Sequence, residues 1–177
     1  MKTQSMDYLL DSIREAVCSV DEKKQNELID SLLEAKTVFI YGSGRSGLVG
    51  QLFAVRLVQM GLDVHFVGDM TTPIIEKEDL TILVSNTGET MSAVQTANIA
   101  RRIGSKVICV TGNRSSKLGH ASNMVIELKC DNNPGYAPLG TVFEDAVSIF
   151  FDSIIPCIMK KKGIDENDMR KKHAIWV

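Results

Sequence analysis

The sequence lacks the patterns that mark a metal site, a serine hydrolase or a membrane span. Its three histidines, His65, His120 and His173, form no HExxH motif or other metal-ligand spacing. No Gly-x-Ser-x-Gly turn is present, which argues against a hydrolase with that nucleophile. No apolar stretch reaches the roughly 18 residues that a membrane helix needs. We therefore expect neither a metal site nor a membrane protein.

Cysteine usage and charge limit the compartment and the partners. No two of the four cysteines form a CxxC pair, and no signal peptide precedes them, so a reduced, cytoplasmic setting is expected. Cys109 falls inside an apolar run and is interpreted as a core residue. The formal net charge is −2 at pH 7, so no overall basic field attracts nucleic acid or anionic lipid.

The length and the apolar pattern predict how the chain is organised. At 177 residues it is expected to form one domain, with helices over 1–35, a sheet core over 36–130, and a loop, an apolar helix and a tail over 131–177. In the first part, apolar residues at helical spacing predict two helices, and Ser19-Val20-Asp21 is predicted to separate them and to provide the N-cap of the second.

The sheet core alternates strand-like and helical patterns. Strand-like runs cover residues 37–41, 63–67, 80–84, 106–110 and 124–128. Continuous apolar strands separated by helices predict a parallel sheet covered on both faces. Thr72-Pro73 predicts a helix start, and Ser115-Ser116 predicts a short helix through Leu118. A strongly apolar helix over 141–159 suits either the core or a subunit interface.

Two strand-to-helix turns rich in glycine and hydroxyls are interpreted as two halves of one anion site. The first is Gly42-Ser43-Gly44-Arg45-Ser46-Gly47. A helix that begins there leaves backbone N–H groups free and places the positive end of its dipole at the loop, which suits a phosphate. Arg45 is placed to meet a phosphate or a sugar hydroxyl. The alternatives are a dinucleotide loop, which needs Asp69 on the ribose, and a plain turn with a serine cap.

The second turn, Ser85-Asn86-Thr87-Gly88-Glu89-Thr90, carries the stronger signal. Ser85, Thr87 and Thr90 place three hydroxyls at the start of one helix, where a cap needs only one. The negative charge of Glu89 also suits the positive end of the helix dipole, which is a purely structural role. Because the two turns follow neighbouring strands, we expect them to hold a phosphorylated small molecule.

Glu144 has two competing interpretations. Thr141-Val142-Phe143-Glu144 matches a capping box, with Thr141 at the N-cap and Glu144 at N3. A glutamate is equally suited to remove a proton next to a carbonyl. The two roles are compatible if the helix start faces the substrate.

The histidines point less clearly to a role. His65 alternates within a strand and is interpreted as a packing or surface residue, and His120 as an exposed one. His173 lies near the C-terminus, but the apolar Ala174-Ile175-Trp176-Val177 indicates that this tail docks on something.

The chain resembles the sugar isomerase (SIS) domain family over nearly its whole length. The resemblance depends on residues 41–46, on Val67-Gly68-Asp69 with Thr71-Thr72-Pro73, on 85–90, on Pro138-Leu139-Gly140-Thr141 with Phe143-Glu144, and on His173-Ala174. The serine and threonine turns are typical of any sugar-phosphate SIS domain, whereas the last two segments narrow the resemblance to the hexuloisomerase type. The chain departs from the family pattern at two places. Asn86 stands where the family commonly has glycine, and Ile175-Trp176-Val177 stands where the family usually has Asn-Leu-Glu.

The resemblance implies an α/β fold, a flavodoxin-like three-layer αβα sandwich with a five-stranded parallel sheet. It also implies a homotetramer with active sites at subunit interfaces, and no metal or organic cofactor. The implied reaction interconverts D-arabino-3-hexulose 6-phosphate and D-fructose 6-phosphate through a cis-enediol. Glu144 would be the base and His173 would open the sugar ring or move a proton between oxygens. Ser43, Arg45, Ser46 and the turn 85–90 would bind the substrate.

Other functions stay open on the sequence alone. A non-catalytic SIS module that senses a sugar phosphate needs the hydroxyl turns but not Glu144. An oxidoreductase built on Gly42, Gly44 and Gly47 is opposed by the second turn and by the absence of a separate substrate domain. An isomerase for another sugar phosphate is the remaining alternative.

Overall fold

A parallel sheet lies at the centre of the computed structural model, which describes residues 2–131 and 133–173. In this part of the chain the strands are β1 Val38–Gly42, β2 Val64–Phe66, β3 Leu80–Ser85, β4 Lys106–Thr111 and β5 Met124–Glu127. They pair in the order β2-β1-β3-β4-β5, and every pair is parallel. The predicted five-stranded parallel sheet is therefore confirmed. Every residue of β3 is buried, as expected for a strand with helices on both faces.

Helices cover the two faces of the sheet and form two separate apolar clusters. Their bounds are α1 Lys2–Cys18, α2 Glu22–Glu34, α3 Arg45–Gln59, α4 Met91–Ile103, α5 Lys117–His120, α6 Thr141–Lys162 and α7 Glu166–Lys171. The larger cluster joins one sheet face to α1, α2, α3, α6 and α7, and the smaller joins the other face to α4 and α5. The α/β fold with three αβα layers is thus confirmed. Cys109 lies in the smaller cluster, as predicted.

The long apolar helix α6 belongs to the core. Phe143, Phe150 and Phe151 are among the largest fully buried side chains. The rings of Phe151 and of Phe53 on α3 stack with centroids 3.9 Å apart. Because α3 and α6 pack together in this way, the residues at their first turns are held in a fixed relation.

The structure confirms the predicted caps of two helices and contradicts a third predicted helix start. Asp21 accepts a hydrogen bond from the Lys23 amide and caps α2, and Ser116 caps α5 by accepting from Gly119, as predicted. The helix predicted at Thr72-Pro73 is wrong, since residues 71–79 contain no helix. The Thr72 hydroxyl donates to the carbonyl oxygens of Phe66 and Asp69 (3.1 and 2.7 Å). The Thr72 side chain therefore closes a turn and does not cap a new helix.

The strand order creates a crevice at the carboxyl ends of β1 and β3. The chain moves outward from β1 to β2 and then crosses back to β3 on the other side of β1. The turns that follow β1 and β3 therefore diverge and leave a space at the carboxyl ends of the strands. This is the flavodoxin-like order, and its switch point lies between the two turns singled out in the sequence.

Some of the residues discussed from the sequence lie outside the described part of the chain. Asn132 and residues 174–177, which include the apolar tail, are not among the described residues. None of the helices that are described combines the length and the apolar character needed to cross a bilayer.

Candidate active site

A cavity of about 350 Å³ occupies the crevice between β1 and β3. Three segments form its walls: the turn after β1, the turn after β3, and the start of α6. Its lining residues are Ser43, Ser46, Val84, Ser85, Asn86, Thr87, Thr90, Leu139, Gly140 and Glu144. The structure thus brings both hydroxyl turns and Glu144 together around one space, although Glu144 is about a hundred residues from Ser43 in the chain.

Three helices begin at this cavity without a side-chain cap. The N-cap positions of α3, α4 and α6 are Gly44, Thr90 and Gly140, and none of the described side chains accepts a hydrogen bond there. The plain turn with a serine cap is therefore wrong for the first turn. Uncapped N-termini present free N–H groups and partial positive charge, so the three helix starts together favour an anion in the cavity.

Glu144 places a buried carboxylate in this positive environment. Its exposed fraction is 6%. The Ser46 hydroxyl donates to Oε1 at 3.0 Å, and the Arg45 guanidinium donates through Nε to Oε2 at 3.4 Å. A buried charge needs such partners, so the first turn of α3 holds the Glu144 carboxylate against one wall of the cavity.

The capping-box interpretation of Glu144 is wrong. The N-cap of α6 is Gly140, so Thr141 is the first helical residue and Glu144 the fourth. The Thr141 hydroxyl donates to the Pro138 carbonyl at 2.6 Å, and the Glu144 carboxylate points to α3. The motif is displaced by one residue from the register that a capping box requires.

The turn after β3 divides into residues that face the cavity and residues that support them. The Ser85 hydroxyl accepts from the Gly88 amide at 3.2 Å and lies 3.3 Å from the Thr90 hydroxyl. Gly88 is outside the lining, and a Cβ there would overlap Ser116. Glu89 turns away to an ion pair with Lys117 at 2.9 Å, whose hydrogen bond lowers the pKa of Glu89. Gly88 and Glu89 therefore shape the turn from behind.

His173 lies in a different cavity of the same chain. That space of about 590 Å³ is bounded by α3, β2 and the residues after α7. Its lining residues are Gln51, Ala54, Val55, Val58, Gln59, Val64, Phe66, Asp69, Lys172 and His173. The Lys172 ammonium lies over Gly61, just beyond the end of α3. This cavity shares no lining residue with the cavity of Glu144, so within one chain His173 and Glu144 line different spaces.

Comparison with known protein families matches residues 31–148 to the SIS domain. The chain belongs to the SIS domain family. Its sequence is 39% identical over 153 residues to a 3-hexulose-6-phosphate isomerase of Methanocaldococcus jannaschii, covering 86% of this chain and 84% of the relative. A 3-hexulose-6-phosphate isomerase of Bacillus subtilis (strain 168) is 32% identical over 179 residues, with 97% of each chain covered.

Solved structures support the same assignment to the SIS family. The fold matches the crystal structure of a hypothetical protein from Methanococcus jannaschii with a TM-score of 0.91 and 35% identity, covering 98% of this chain and 99% of that one. A molecular function of 3-hexulose-6-phosphate isomerase was inferred for that protein. In this SIS domain the matched region includes both hydroxyl turns and Glu144 and ends before His173.

The sequence did not identify Leu139 and Gly140 as lining residues of the SIS cavity. Leu139 has a positive φ of 53° and a side chain that is 97% exposed. Gly140, with φ 80°, follows it and begins α6. The available signal was the glycine directly before an apolar helix, which resembles the two recognised turns. A left-handed leucine has no sequence signature, because leucine rarely adopts that conformation.

Two cysteines and two histidines of the SIS domain are less suited to catalysis than Glu144. Burial and the charge of Glu144 raise the pKa of Cys130 to about 11, and burial raises that of Cys109 to about 11. Both thiols stay protonated at neutral pH and are poor nucleophiles. His65 pairs with Asp63 at 3.3 Å on the edge strand, and His120 is exposed, as predicted. Within the described residues, no group of three His, Cys, Asp or Glu side chains is arranged to hold a metal.

Proposed function

We propose that this SIS domain protein is an isomerase that interconverts D-arabino-3-hexulose 6-phosphate and D-fructose 6-phosphate. The observation that carries the proposal is one buried carboxylate, Glu144, inside a cavity where three uncapped helix N-termini converge. A phosphate and a proton-transferring base are the two groups that this reaction needs. The relatives named 3-hexulose-6-phosphate isomerase support the choice of substrate.

The turn after β3 is the proposed seat of the phosphate. The hydroxyls of Ser85, Thr87 and Thr90 surround the uncapped start of α4 and line the cavity, and Ser43 lies on the facing wall. Hydroxyl donors and free amides at a helix N-terminus are the usual partners of a phosphate group. This assignment leaves the opposite end of the cavity, at Glu144, for the reacting carbons.

Glu144 is the proposed base. Its carboxylate takes the proton from C2 of the 3-ketose, and the electron pair forms the C2–C3 double bond while the C3 carbonyl becomes an enediolate oxygen. The hydroxyl proton on O2 then moves to O3, C2 becomes the carbonyl, and Glu144 returns its proton to C3. Ser46 and Arg45 fix the carboxylate through the hydrogen bonds already described, so the base is held in place before the substrate arrives.

The substrate assignment is tested with a panel of sugar phosphates. Purified protein is incubated with D-arabino-3-hexulose 6-phosphate, D-arabinose 5-phosphate and D-sedoheptulose 7-phosphate, and the products are separated and quantified. We expect rapid formation of fructose 6-phosphate from the first compound and little reaction with the others. Conversion of another compound in its place would assign the protein to a different isomerisation, and binding without conversion would identify it as a sensor.

We further propose that the protein is a homo-oligomer, in the form of a dimer of dimers, in which two copies of α3 pack against each other. The outward side chains Leu48, Leu52 and Val55 are 65%, 55% and 56% exposed, and their spacing places them on one stripe. The opposite stripe of α3, with Phe53 and Leu57, is buried in the core. A helix that is apolar on both sides is normally buried on both sides, which supports a partner on this face.

Antiparallel pairing of α3 would complete the active site. In a twofold pair the end of one α3 lies beside the start of the other. His173 belongs to the cavity that runs along α3 from Gln51 to Gln59, whereas Ser46 and Glu144 meet at the start of α3. The pair therefore supplies His173 of one copy to the Glu144 cavity of the other, as a proton carrier between the substrate oxygens.

Mixing two inactive variants is expected to restore activity. Glu144→Gln and His173→Ala subunits each lack one group, but a mixed pair contains one site with both. The two variants are co-refolded in equal amounts. If subunits pair randomly, about a quarter of all sites contain both Glu144 and His173. The measurement is the turnover rate of the mixture against each variant alone. A mixture with no more activity than its components would contradict the shared site.

A charge on the exposed stripe of α3 is expected to separate the subunits. Leu52→Asp buries a carboxylate in the proposed interface, so mass measured by light scattering should fall and turnover should fall with it, because the site loses His173. Leu10→Asp is the matched control, since Leu10 is 56% exposed on α1, away from α3. Unchanged mass and turnover in Leu52→Asp would exclude this face as the interface.

Finally, we propose that residues 1–177 form one domain that acts in the cytoplasm, in the ribulose monophosphate pathway of formaldehyde fixation or pentose-phosphate synthesis. The four cysteines are free thiols, which supports a reducing compartment.

A further inference from the structure

The Asn86 side chain lies between two glycine positions, of which Gly140 lines the active-site cavity and Gly112 lies outside its lining. Its Oδ1 lies 2.7 Å from the point that a Cβ of Gly112 would occupy, and its Nδ2 lies 2.6 Å from the same point at Gly140. Gly112 follows β4 and Gly140 begins α6. The carboxamide thus fills the space between these two turns, and both positions have room for it only because they are glycine.

The amide end of Asn86 and the Glu144 carboxylate both lie beside Gly140. The position of a Cβ at Gly140 lies 2.6 Å from Asn86 Nδ2 and 3.3 Å from Glu144 Oε2. Both polar atoms therefore lie close to Gly140, and Asn86, Gly140 and Glu144 line the same cavity. An orientation with the N–H groups toward the carboxylate is the electrostatically favourable one, because Nδ2 donates and both Oδ1 and Oε2 accept.

The Asn86 carboxamide is held in place by its backbone rather than by its own hydrogen bonds. The Asn86 carbonyl accepts from the Gly112 amide at 2.9 Å and from the Thr111 hydroxyl at 3.1 Å. No described residue forms a hydrogen bond with the carboxamide itself, and Asn86 lines the cavity. The result is an amide donor in a fixed position that has no protein acceptor within the described chain.

We propose that Asn86 donates a hydrogen bond to the enediolate oxygen of the substrate, an inference that rests on the proposed function. When Glu144 removes the C2 proton, negative charge develops on O3, in the cavity that Asn86 and Glu144 both line. A donor fixed in advance in that cavity stabilises the charge in the transition state more than it stabilises the neutral ketose. Asn86 then acts on the rate of proton transfer, while the hydroxyls of the turn after β3 act on phosphate binding.

Two Asn86 variants separate the donor role from the packing role. Asn86→Leu keeps the branched shape between Gly112 and Gly140 but has no N–H, and Asn86→Gly removes both. We expect kcat to fall at least tenfold in both variants, as for the loss of a hydrogen bond to a charged oxygen. KM and the dissociation constant for fructose 6-phosphate, measured by calorimetry, should change by no more than about twofold.

The outcomes distinguish this inference from the proposed function. Wild-type kcat in Asn86→Leu would assign Asn86 to packing alone, and a raised KM with unchanged kcat would assign it to phosphate binding; either result overturns the inference. Asn113→Leu is the control, because Asn113 lies in the turn after β4 and its Oδ1 accepts from the Ser115 amide. If the wild type itself does not convert the hexulose, the proposed function fails, whatever the variants do.

Discussion

Replacing Glu144 by glutamine is expected to lower kcat by about 10³-fold, within the range that a general base contributes. The amide has the shape of the carboxylate but cannot accept the carbon-bound proton. Ser46 can still donate to the remaining carbonyl oxygen, and the half-exposed Arg45 is left in contact with water. The fold and the affinity for fructose 6-phosphate should therefore change little. Turnover, thermal unfolding and calorimetric binding measure the three effects.

Asp145→Asn is the matched control for this prediction. Asp145 is the next residue on α6, its side chain is 46% exposed, and its Oδ1 lies 4.0 Å from Nη2 of Arg45. An exposed ion pair at this distance contributes little, so turnover should stay near the wild-type value. If Glu144→Gln kept more than a tenth of the wild-type kcat, Glu144 would not be the base.

Replacing Gly140 by alanine is expected to lower turnover at least 100-fold. The new Cβ would lie 2.6 Å from Asn86 Nδ2 and 3.3 Å from Glu144 Oε2, and would push both groups from the positions in which they are proposed to act on the substrate. Asn86 has little freedom to move aside, because its other end lies against Gly112. The positive φ of 80° adds a backbone cost of about 1 kcal/mol. Turnover and thermal unfolding measured together separate the two contributions.

Gly163→Ala isolates the backbone cost. Gly163 has φ +65° at the end of α6, and nothing lies within 4 Å of a Cβ there. We expect a similar loss of stability and normal turnover. Adding Asn86→Gly to Gly140→Ala should relieve the overlap with the amide and restore part of the lost stability, but turnover should stay low because the double variant lacks the Asn86 donor. Equal turnover in Gly140→Ala and Gly163→Ala would contradict the roles proposed for Asn86 and Glu144 beside Gly140.

The sheet and the two hydroxyl turns were predictable because each depends on local chemistry. Continuous apolar runs form strands buried on both faces, and glycine with serine or threonine directly after such a run marks a turn into a helix. Thr141 shows the limit of this reasoning. Its spacing to Glu144 matches a capping box, but Gly140 adopts a left-handed conformation and begins the helix one residue earlier. A shift of one residue turns the carboxylate from its own helix toward Ser46.

Long-range features could not be predicted from local pattern. The bridge that Asn86 makes between Gly112 and Gly140 joins three turns that are distant in sequence. The placement of His173 in a different cavity from Glu144 depends on α7 packing against α3. At Thr72 a hydroxyl and a following proline suggested a helix start, but that hydroxyl donates to a turn at the end of β2.

Hydrogen exchange at the carbons of fructose 6-phosphate tests the central claim most directly. The wild-type protein is incubated with fructose 6-phosphate in D₂O, and loss of each carbon-bound proton is followed by NMR, with Glu144→Gln as the reference. Removal of a proton by Glu144 in a 2,3-enediolate mechanism predicts exchange at C3, no exchange at C1, and neither in the variant. Exchange at C1 would indicate an aldose–ketose isomerase, and bound fructose 6-phosphate with neither exchange nor conversion to the 3-hexulose would contradict an isomerase acting on this ketose.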